Sequence, residues 1–316
     1  MNLFRSSWSL SPGVVLKHLR TDSSPLLFEK QTLKIAMNGT IITQNEFKRQ
    51  EQRFDIKYYL STNFLGYPEE IKLRYKAYWR KEKDPDTKFL IFSSGRSGST
   101  LLLDLIQKHP EVYCDSEILK RRLLNPKKLI QARAKLSKTS IYGFKLLSYQ
   151  LRDVQKGIKN NKVFIEELVD DGFKIIYLNR QNKFLQALSL FKAISQAKWH
   201  TTKTNKSPAS KLEVDPKKLT NLIEDLKELE AFEQYIIAGI PHLPVIYEKD
   251  LSNELAQGLT MTRVCEMLNI QHHPVKSKLK KINPTKPSLL ISNWEEVQKH
   301  LENSSARNFL AKLATG

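Results

Sequence analysis

Cysteine is nearly missing from this sequence: Cys114 and Cys265 are the only two among 316 residues. That scarcity excludes a disulfide-stapled scaffold and a CxxC metal pair, and the expectation is two small buried residues in a reducing compartment. Histidine is sparse as well. The adjacent pair His272 and His273 lacks any HExxH or Cys/His zinc spacing, so no metal is expected. No apolar run approaches the ~20 residues that a bilayer-spanning helix needs, so a soluble chain is expected. The first 21 residues, "MNLFRSSWSLSPGVVLKHLRT", contain no acid at all. They resemble an organelle transit peptide in composition and lack the uninterrupted apolar centre of a secretory signal. A cytoplasmic location is expected, with an organelle-targeting basic N-terminus as the alternative. The sequons at Asn38 and Asn303 are read as chance matches.

What the chain has in excess is positive charge, with 52 Lys and Arg against 33 Asp and Glu and a net charge of +19. Such an excess favours anionic partners: nucleic acid, a membrane surface or a phosphorylated small molecule. At 40% hydrophobic and 27% charged residues, most of the chain is expected to fold. Residues up to the charged segment "KAYWRKEKDPDTK" give mixed signals, with a helix expected around "EEIKLRYKAYW". From Lys88 onward the pattern turns regular. "KFLIFS", "IYGFKLL", "FKIIYLN" and "LPVIYE" read as buried strands, because each is a short apolar run bounded by turn residues. "STLLLDLIQKH" places Leu101, Leu102, Leu105 and Ile106 on one helical face and stops at Pro110. "NKFLQALSLFKAISQAKW" and "DPKKLTNLIEDLKELEAFEQYI" predict two longer helices, the second capped by Asp215 ahead of Pro216. Strands alternating with helices predict an α/β fold, a central parallel sheet with helices on both faces. The last ~50 residues are expected to be helical and to pack against that sheet.

The stretch "FSSGRSGST" joins the first of these strands to a helix. Gly95 and Gly98 permit a tight bend close to a ligand, and the free amides and dipole of a helix start favour an anion. Ser94, Ser97, Ser99 and Thr100 add hydroxyls, and Arg96 adds a planar fork suited to phosphate or sulfate oxygens. A nucleotide triphosphatase has lysine after the last glycine; here Ser99 stands there, and no clear acid follows a strand to hold magnesium. The expected ligand is a phosphate or phosphosulfate bound without a metal.

"FSSGRSGSTLLLDLIQKHPEV" resembles the 5′-phosphosulfate loop of the sulfotransferases that use 3′-phosphoadenosine 5′-phosphosulfate (PAPS). "FKIIYLNRQNKFLQALSLFKA" resembles that family's second cofactor element, a strand ending in arginine and a helix bearing a serine. The resemblance places Arg180 and Ser189 on the 3′-phosphate. An arginine leaving a strand and a hydroxyl more than two turns along the next helix can also converge on one anion at a sheet's carboxyl edge on physical grounds alone. "YGFKLLSYQL" and "QALSLFKAISQAKWH" resemble the bacterial trehalose 2-sulfotransferase branch, and "LPVIYEKDL" and "KINPTKPSLLISNWEEVQKHL" resemble bacterial sulfotransferases more widely. The match covers roughly residues 87 to 312. Gly95 departs from it, standing where the family usually has proline, which makes the loop less pre-organised.

The resemblance implies a P-loop-like three-layer sandwich over residues 86–316, preceded by an extension over residues 1–85 to which nothing in the sequence gives a role. It implies PAPS as sulfuryl donor and a hydroxyl acceptor on a carbohydrate or glycolipid. It also implies Glu117, in "YCDSEIL" after the first helix, as general base, with Asp115 its nearest rival. His109 is the alternative base, although its place at a helix end suits capping of carbonyls. Arg96 is the expected catalytic cation. Lys145, at a strand end, and Lys280, Lys281 and Lys286 are further cations that could reach the site. Trp199 and His200 are assigned to packing or the acceptor pocket. The competing functions are a basic nucleic-acid-binding protein, for which no recognisable motif is present, a divergent P-loop kinase, and a PAPS-binding fold without activity.

Overall fold

The computed structural model describes residues 35–37, 40–42, 66–81, 83–195, 211–277, 287–304 and 307–308. The chain divides into two units, Met1–Lys48 and Arg49–Gly316. In the first, β1 (Ile35–Met37) and β2 (Thr40–Ile42) pair antiparallel.

The second unit is built around a five-stranded sheet of β3 (Thr87–Ser93), β4 (Val112–Glu117), β5 (Ile141–Leu147), β6 (Phe173–Asn179) and β7 (His242–Ile246), in the order β4-β5-β3-β6-β7. Every pairing is parallel. Parallel neighbours need crossover connections, and these supply the helices that cover both faces. The alternation of side chains along β3 sends Phe89 and Ile91 to one face and Leu90 and Phe92 to the other. The first pair packs with Leu102, Leu105 and Ile106 of α2 (Ser99–Ile106) and with Met261, Val264 and Leu268 of α8 (Glu254–Leu268). The second pair packs with Leu129 and Ile130 of α3 (Pro126–Leu136), Ile165 and Leu168 of α4 (Asn161–Asp170) and Ile236 of α6 (Pro216–Ile237). Each large side chain so buried contributes roughly 1.5–3 kcal/mol. The result is the α/β three-layer sandwich expected from the alternating pattern. Gly143 interrupts the apolar run of β5 because the Phe89 ring, directly across the pairing, occupies the space of a Cβ.

Helix α1 (Tyr67–Tyr78) lies against α3, and Glu70 fixes it there. That carboxylate is fully buried, accepts from the amides of Leu124 at 2.7 Å and Asn125 at 2.8 Å, and pairs with Arg74 at 3.3 Å. Asp215 caps α6 as expected, accepting from the amides of Lys217 and Lys218. The C-terminal segment follows expectation in part: Leu268, Ile270 and Val275 pack on the sheet face of Phe89 and Ile91, and the residues around the last helix do not. Val297 and Leu301 of α9 (Trp294–Glu302), with Leu290 and Ile291, pack on Phe184 and Leu188 of α5 (Lys183–Ser195) and on Leu222 and Ile223 of α6, not on the sheet. The groove between α5 and α6 is apolar, and α9 covers it with a stripe at helical spacing.

β4 is the other departure, since "VYCDSE" lies in a sheet and not in a loop. It is an edge strand in which buried Val112 and Cys114 alternate with exposed Tyr113, and it carries too many polar residues to read as a buried run. A register shift between Asp115 and Glu117 sets Glu117 beside Lys145 of β5.

Candidate functional site

The carboxyl ends of β3, β5 and β6 are flush, because Ser93 pairs with both Leu147 and Leu178. The chain leaves β3 toward β4 on one side, while β6 lies on the other, so a crevice opens above the end of β3. The loop Ser94–Gly98 stands at that switch point. Arg96 holds φ 60° and Gly98 φ 98°, two left-handed residues that fold the loop back over the strand end. For Arg96 this conformation costs about 1–3 kcal/mol, which the surrounding contacts must offset. Ser97 Oγ donates to the Ser94 carbonyl at 2.8 Å. Gln186 Nε2, from α5, donates to Ser94 Oγ at 3.0 Å and to the Gly95 carbonyl at 2.7 Å. No side chain caps the amino end of α2 at Gly98, so its positive dipole end faces the crevice, as an anion requires.

Three residues singled out in the sequence meet here. Nε and Nη2 of Arg96 both donate to Ser189 Oγ at 3.1 Å, and Arg180 Nη1 donates to the Arg96 carbonyl at 3.1 Å. Arg180 lies over the Tyr247 ring, 4.7 Å from its centroid, with Nε 3.8 Å from Glu248 Oε1. Glu248 in turn accepts from the amides of Gln181 and Asn182, each at 3.0 Å. Burial pushes the pKa of Arg180 down and nearby Arg96 adds to this, while Tyr247 and Glu248 pull it up. Three buried polar atoms around the loop make no hydrogen bond: Arg180 Nε, Gln186 Oε1 and Ser93 Oγ. Buried donors and acceptors are normally paired, and of these three only Arg180 Nε has a charged neighbour, Glu248.

A second group lies on the β5 side. Lys145, buried, forms an ion pair with Glu117 Oε1 at 3.0 Å and donates to Thr100 Oγ1 at 3.4 Å. The cation that the loop lacks after Gly98 therefore reaches the start of α2 from the neighbouring strand. Gln150 Nε2 donates to Glu117 Oε2 at 3.2 Å from a π-helical turn, Gln150–Val154, a wide turn of a kind frequent at functional sites. Burial raises the pKa of the Tyr149 phenol, and the charge of Glu117 raises it further. Beneath this group lies a fully buried carboxylate, Glu233 of α6. It accepts from Ser148 Oγ at 2.5 Å and Tyr177 OH at 3.1 Å. Glu230, about one turn before Glu233 on α6, pairs with Lys183 at 3.2 Å, and Lys183 donates to the Arg180 carbonyl at 2.6 Å.

His109 is not part of this arrangement. Its Nδ1 accepts from the Glu111 amide at 3.3 Å and its Nε2 donates to the Gln271 carbonyl at 2.9 Å, so both nitrogens are committed just ahead of the amino end of β4. Asp115 also turns elsewhere, to Tyr113, Tyr142 and Arg133. Cys114 and Cys265 are buried free thiols. Trp199, His200, Lys280, Lys281 and Lys286 lie outside the described residues. Among the described residues no group of His, Cys, Asp and Glu could hold a metal ion. Sequence reasoning missed Gln186, Tyr247, Glu248 and Glu233. The last strand ends at Ile246, one residue before the Tyr247–Glu248 pair, and that position after a strand is the only signal the pair leaves.

A scan of family models and a search of curated proteins find no match to the chain. Among solved structures it is similar to a sulfotransferase from Alicyclobacillus acidocaldarius, at 12% identity and TM-score 0.44 over 74% of this chain and 96% of that one. It is also similar to the sulfotransferase domain of the Synechococcus PCC 7002 olefin synthase, at 17% identity and TM-score 0.40 over 75% and 96% of the two chains. A third similar structure is a mouse sulfotransferase, SULT7A1, complexed with PAP, at 13% identity and TM-score 0.41 over 78% and 94%.

Proposed function

We propose that the chain is a PAPS-dependent sulfotransferase acting on a hydroxyl of a carbohydrate or glycolipid. One observation carries this reading: Arg96, Arg180 and Ser189 converge at the carboxyl end of the central strand, with Arg180 Nε buried and without a hydrogen bond. Two guanidinium groups held together at a helix start repel one another; Glu248 beside Arg180 offsets part of that repulsion, and a bound anion would offset more. The donor set fits a nucleotide with two phosphate-like ends. Ser94, Gly95, Arg96, Ser97, Gly98, Ser99 and Thr100 would hold the 5′-phosphosulfate, and Arg180 and Ser189 the 3′-phosphate. PAPS supplies an activated sulfuryl group, and its transfer to an alcohol oxygen leaves adenosine 3′,5′-bisphosphate (PAP).

The protein's share of the chemistry is positioning, charge stabilisation and proton removal. Glu117 is the base of this proposal. Gln150 and Lys145 fix its carboxylate at the mouth of the crevice, and it takes the proton of the acceptor hydroxyl. Lys145 touches both Glu117 and Thr100, so a single buried ammonium lies between the proton acceptor and the anion-holding loop. Arg96 is the second cation at that loop.

Glu117→Gln keeps the shape and removes the base. Turnover of PAPS against a panel of sugar and glycolipid alcohols is expected to fall by ~10²–10⁴. PAP affinity is expected to stay within a few-fold, since Glu117 touches none of the loop's hydroxyls. Undiminished turnover in this variant would remove Glu117 from the mechanism. Turnover absent from the wild type, with PAP bound, would favour the inactive PAPS-binding fold.

A further inference from the structure

Helix α1 buries Glu70 and Ala77 and turns Ile71, Tyr75, Tyr78 and Trp79 outward, at 56%, 65%, 78% and 67% exposure. The spacing i, i+4, i+7, i+8 makes these one continuous stripe. The three rings also pack on each other. Tyr75 and Trp79 lie 6.1 Å apart and Tyr78 and Trp79 5.4 Å apart, both edge-on. Exposed Lys72 and Lys76 flank the stripe along the helix and Lys81 follows it. The acids of α1 are engaged elsewhere, Glu69 with Arg121 and Arg133, and Glu70 in the interior, while exposed Asp84 lies near Tyr78 past the end of the helix. Where α1 ends, a cleft of about 750 Å³ runs between Tyr75, Lys76, Trp79, Arg80, Lys81 and Leu136. Soluble surfaces seldom group this many large apolar side chains, and a group of them marks an interaction site.

We propose that this face of α1 docks on an anionic lipid interface. Tyr and Trp favour the headgroup region, where a ring is half apolar and half wet, and each lysine near an anionic surface adds its own attraction. An aromatic face bordered by lysines combines the apolar and cationic contacts that an anionic lipid interface offers. The other occupants fit less well. A two-fold contact between copies of the chain would set like charges against each other. Lysine is depleted from the centres of protein interfaces. Bases stack on open ring faces, and here the rings stand edge-on to their neighbours on a convex helix. Residues 1–65 carry nine Lys and Arg against five Asp and Glu, so their charge does not complement the patch. The inference is independent of the proposed sulfotransferase activity.

The test is flotation of the full chain with vesicles of phosphatidylcholine alone and of phosphatidylcholine mixed with phosphatidylglycerol. The wild type is expected to float with the mixed vesicles only and to be released by high salt. Tyr75→Ala/Trp79→Ala is expected to bind them at least about tenfold more weakly, with an unchanged melting temperature, and Lys72→Glu/Lys76→Glu to bind no better. Four results would each overturn the proposal: no binding to either vesicle, binding unaffected by both variants, a monomer–dimer equilibrium lost in Tyr75→Ala/Trp79→Ala, or selective capture of single-stranded DNA by the same stripe.

Discussion

Gly98→Ala is expected to weaken nucleotide binding by ~100-fold or more and to destabilise the fold by about 3 kcal/mol. Two independent costs meet at this residue. Its φ of 98° lies in the left-handed region, which side chains rarely adopt. A Cβ there would also run into the Tyr247 ring. The ring cannot move alone, because Arg180 lies over it and Arg180 in turn holds the Arg96 carbonyl. The loop and the arginine at the end of β6 are thus displaced together. Calorimetric titration with PAP is expected to show affinity lower by ~100-fold or more, which corresponds to the same ~3 kcal/mol. A variant that binds PAP as the wild type does would show that the loop is not the nucleotide cradle.

Glu233→Gln is expected to change how stability depends on pH. Burial raises the Glu233 pKa from the ordinary 4.5 to about 7, against the lowering pull of Ser148, Lys183 and Tyr177, and Glu230 adds to the rise. A carboxyl group with a raised folded-state pKa is protonated on folding. Its contribution to stability is fully present below pH 4.5 and is lost as pH rises through about 7. A difference of that size corresponds to roughly 3 kcal/mol between the two ends of the window. Glutamine has no proton to lose and can still accept one hydroxyl and donate to another. Urea midpoints of Glu233→Gln are therefore expected to vary less across this window than those of the wild type, and to lie above them on its alkaline side. Parallel curves would contradict the assignment. The same carboxylate also braces the site. Ser148 opens the turn that carries Tyr149 and Gln150 to Glu117, and Tyr177 lies three residues before Arg180 on β6.

Much of this fold is legible in the sequence, and the reasons are physical. β3, β5 and β6 are buried on both faces, so "KFLIFS", "IYGFKLL" and "FKIIYLN" stand out as unbroken apolar runs. β4 is an edge strand carrying Asp115 and Glu117, and its mixed composition hides it; Glu117 reads as a loop residue in the sequence and stands at the end of a strand. "LPVIYE" gives the last strand, but the chain turns at once into a short helix, α7 (Tyr247–Asp250), and so places Tyr247 and Glu248 against Arg180. The loop and its position at a strand's carboxyl end are local features, and they are readable. The contacts of Gln186 with the loop and of Glu233 with Ser148 join residues 91 and 85 positions apart, and no local pattern announces such pairs. Lys145 shows the boundary between the two cases. Its place at a strand end is visible, while its pairing with Glu117 depends on the register shift in β4 and its contact with Thr100 on the helix after β3.

Arg180 and the Ser94–Thr100 loop are proposed to form one nucleotide site. The most direct measurement is the melting temperature with and without PAP, in the presence of a metal chelator, for the wild type and for Arg180→Ala. At about a hundred times its Kd a ligand stabilises the folded state by ~2.7 kcal/mol, an increase of several degrees for a domain of this size. That increase is expected for the wild type under chelation and is expected to be lost in Arg180→Ala. A wild-type melting temperature unmoved by saturating PAP would contradict the proposed site.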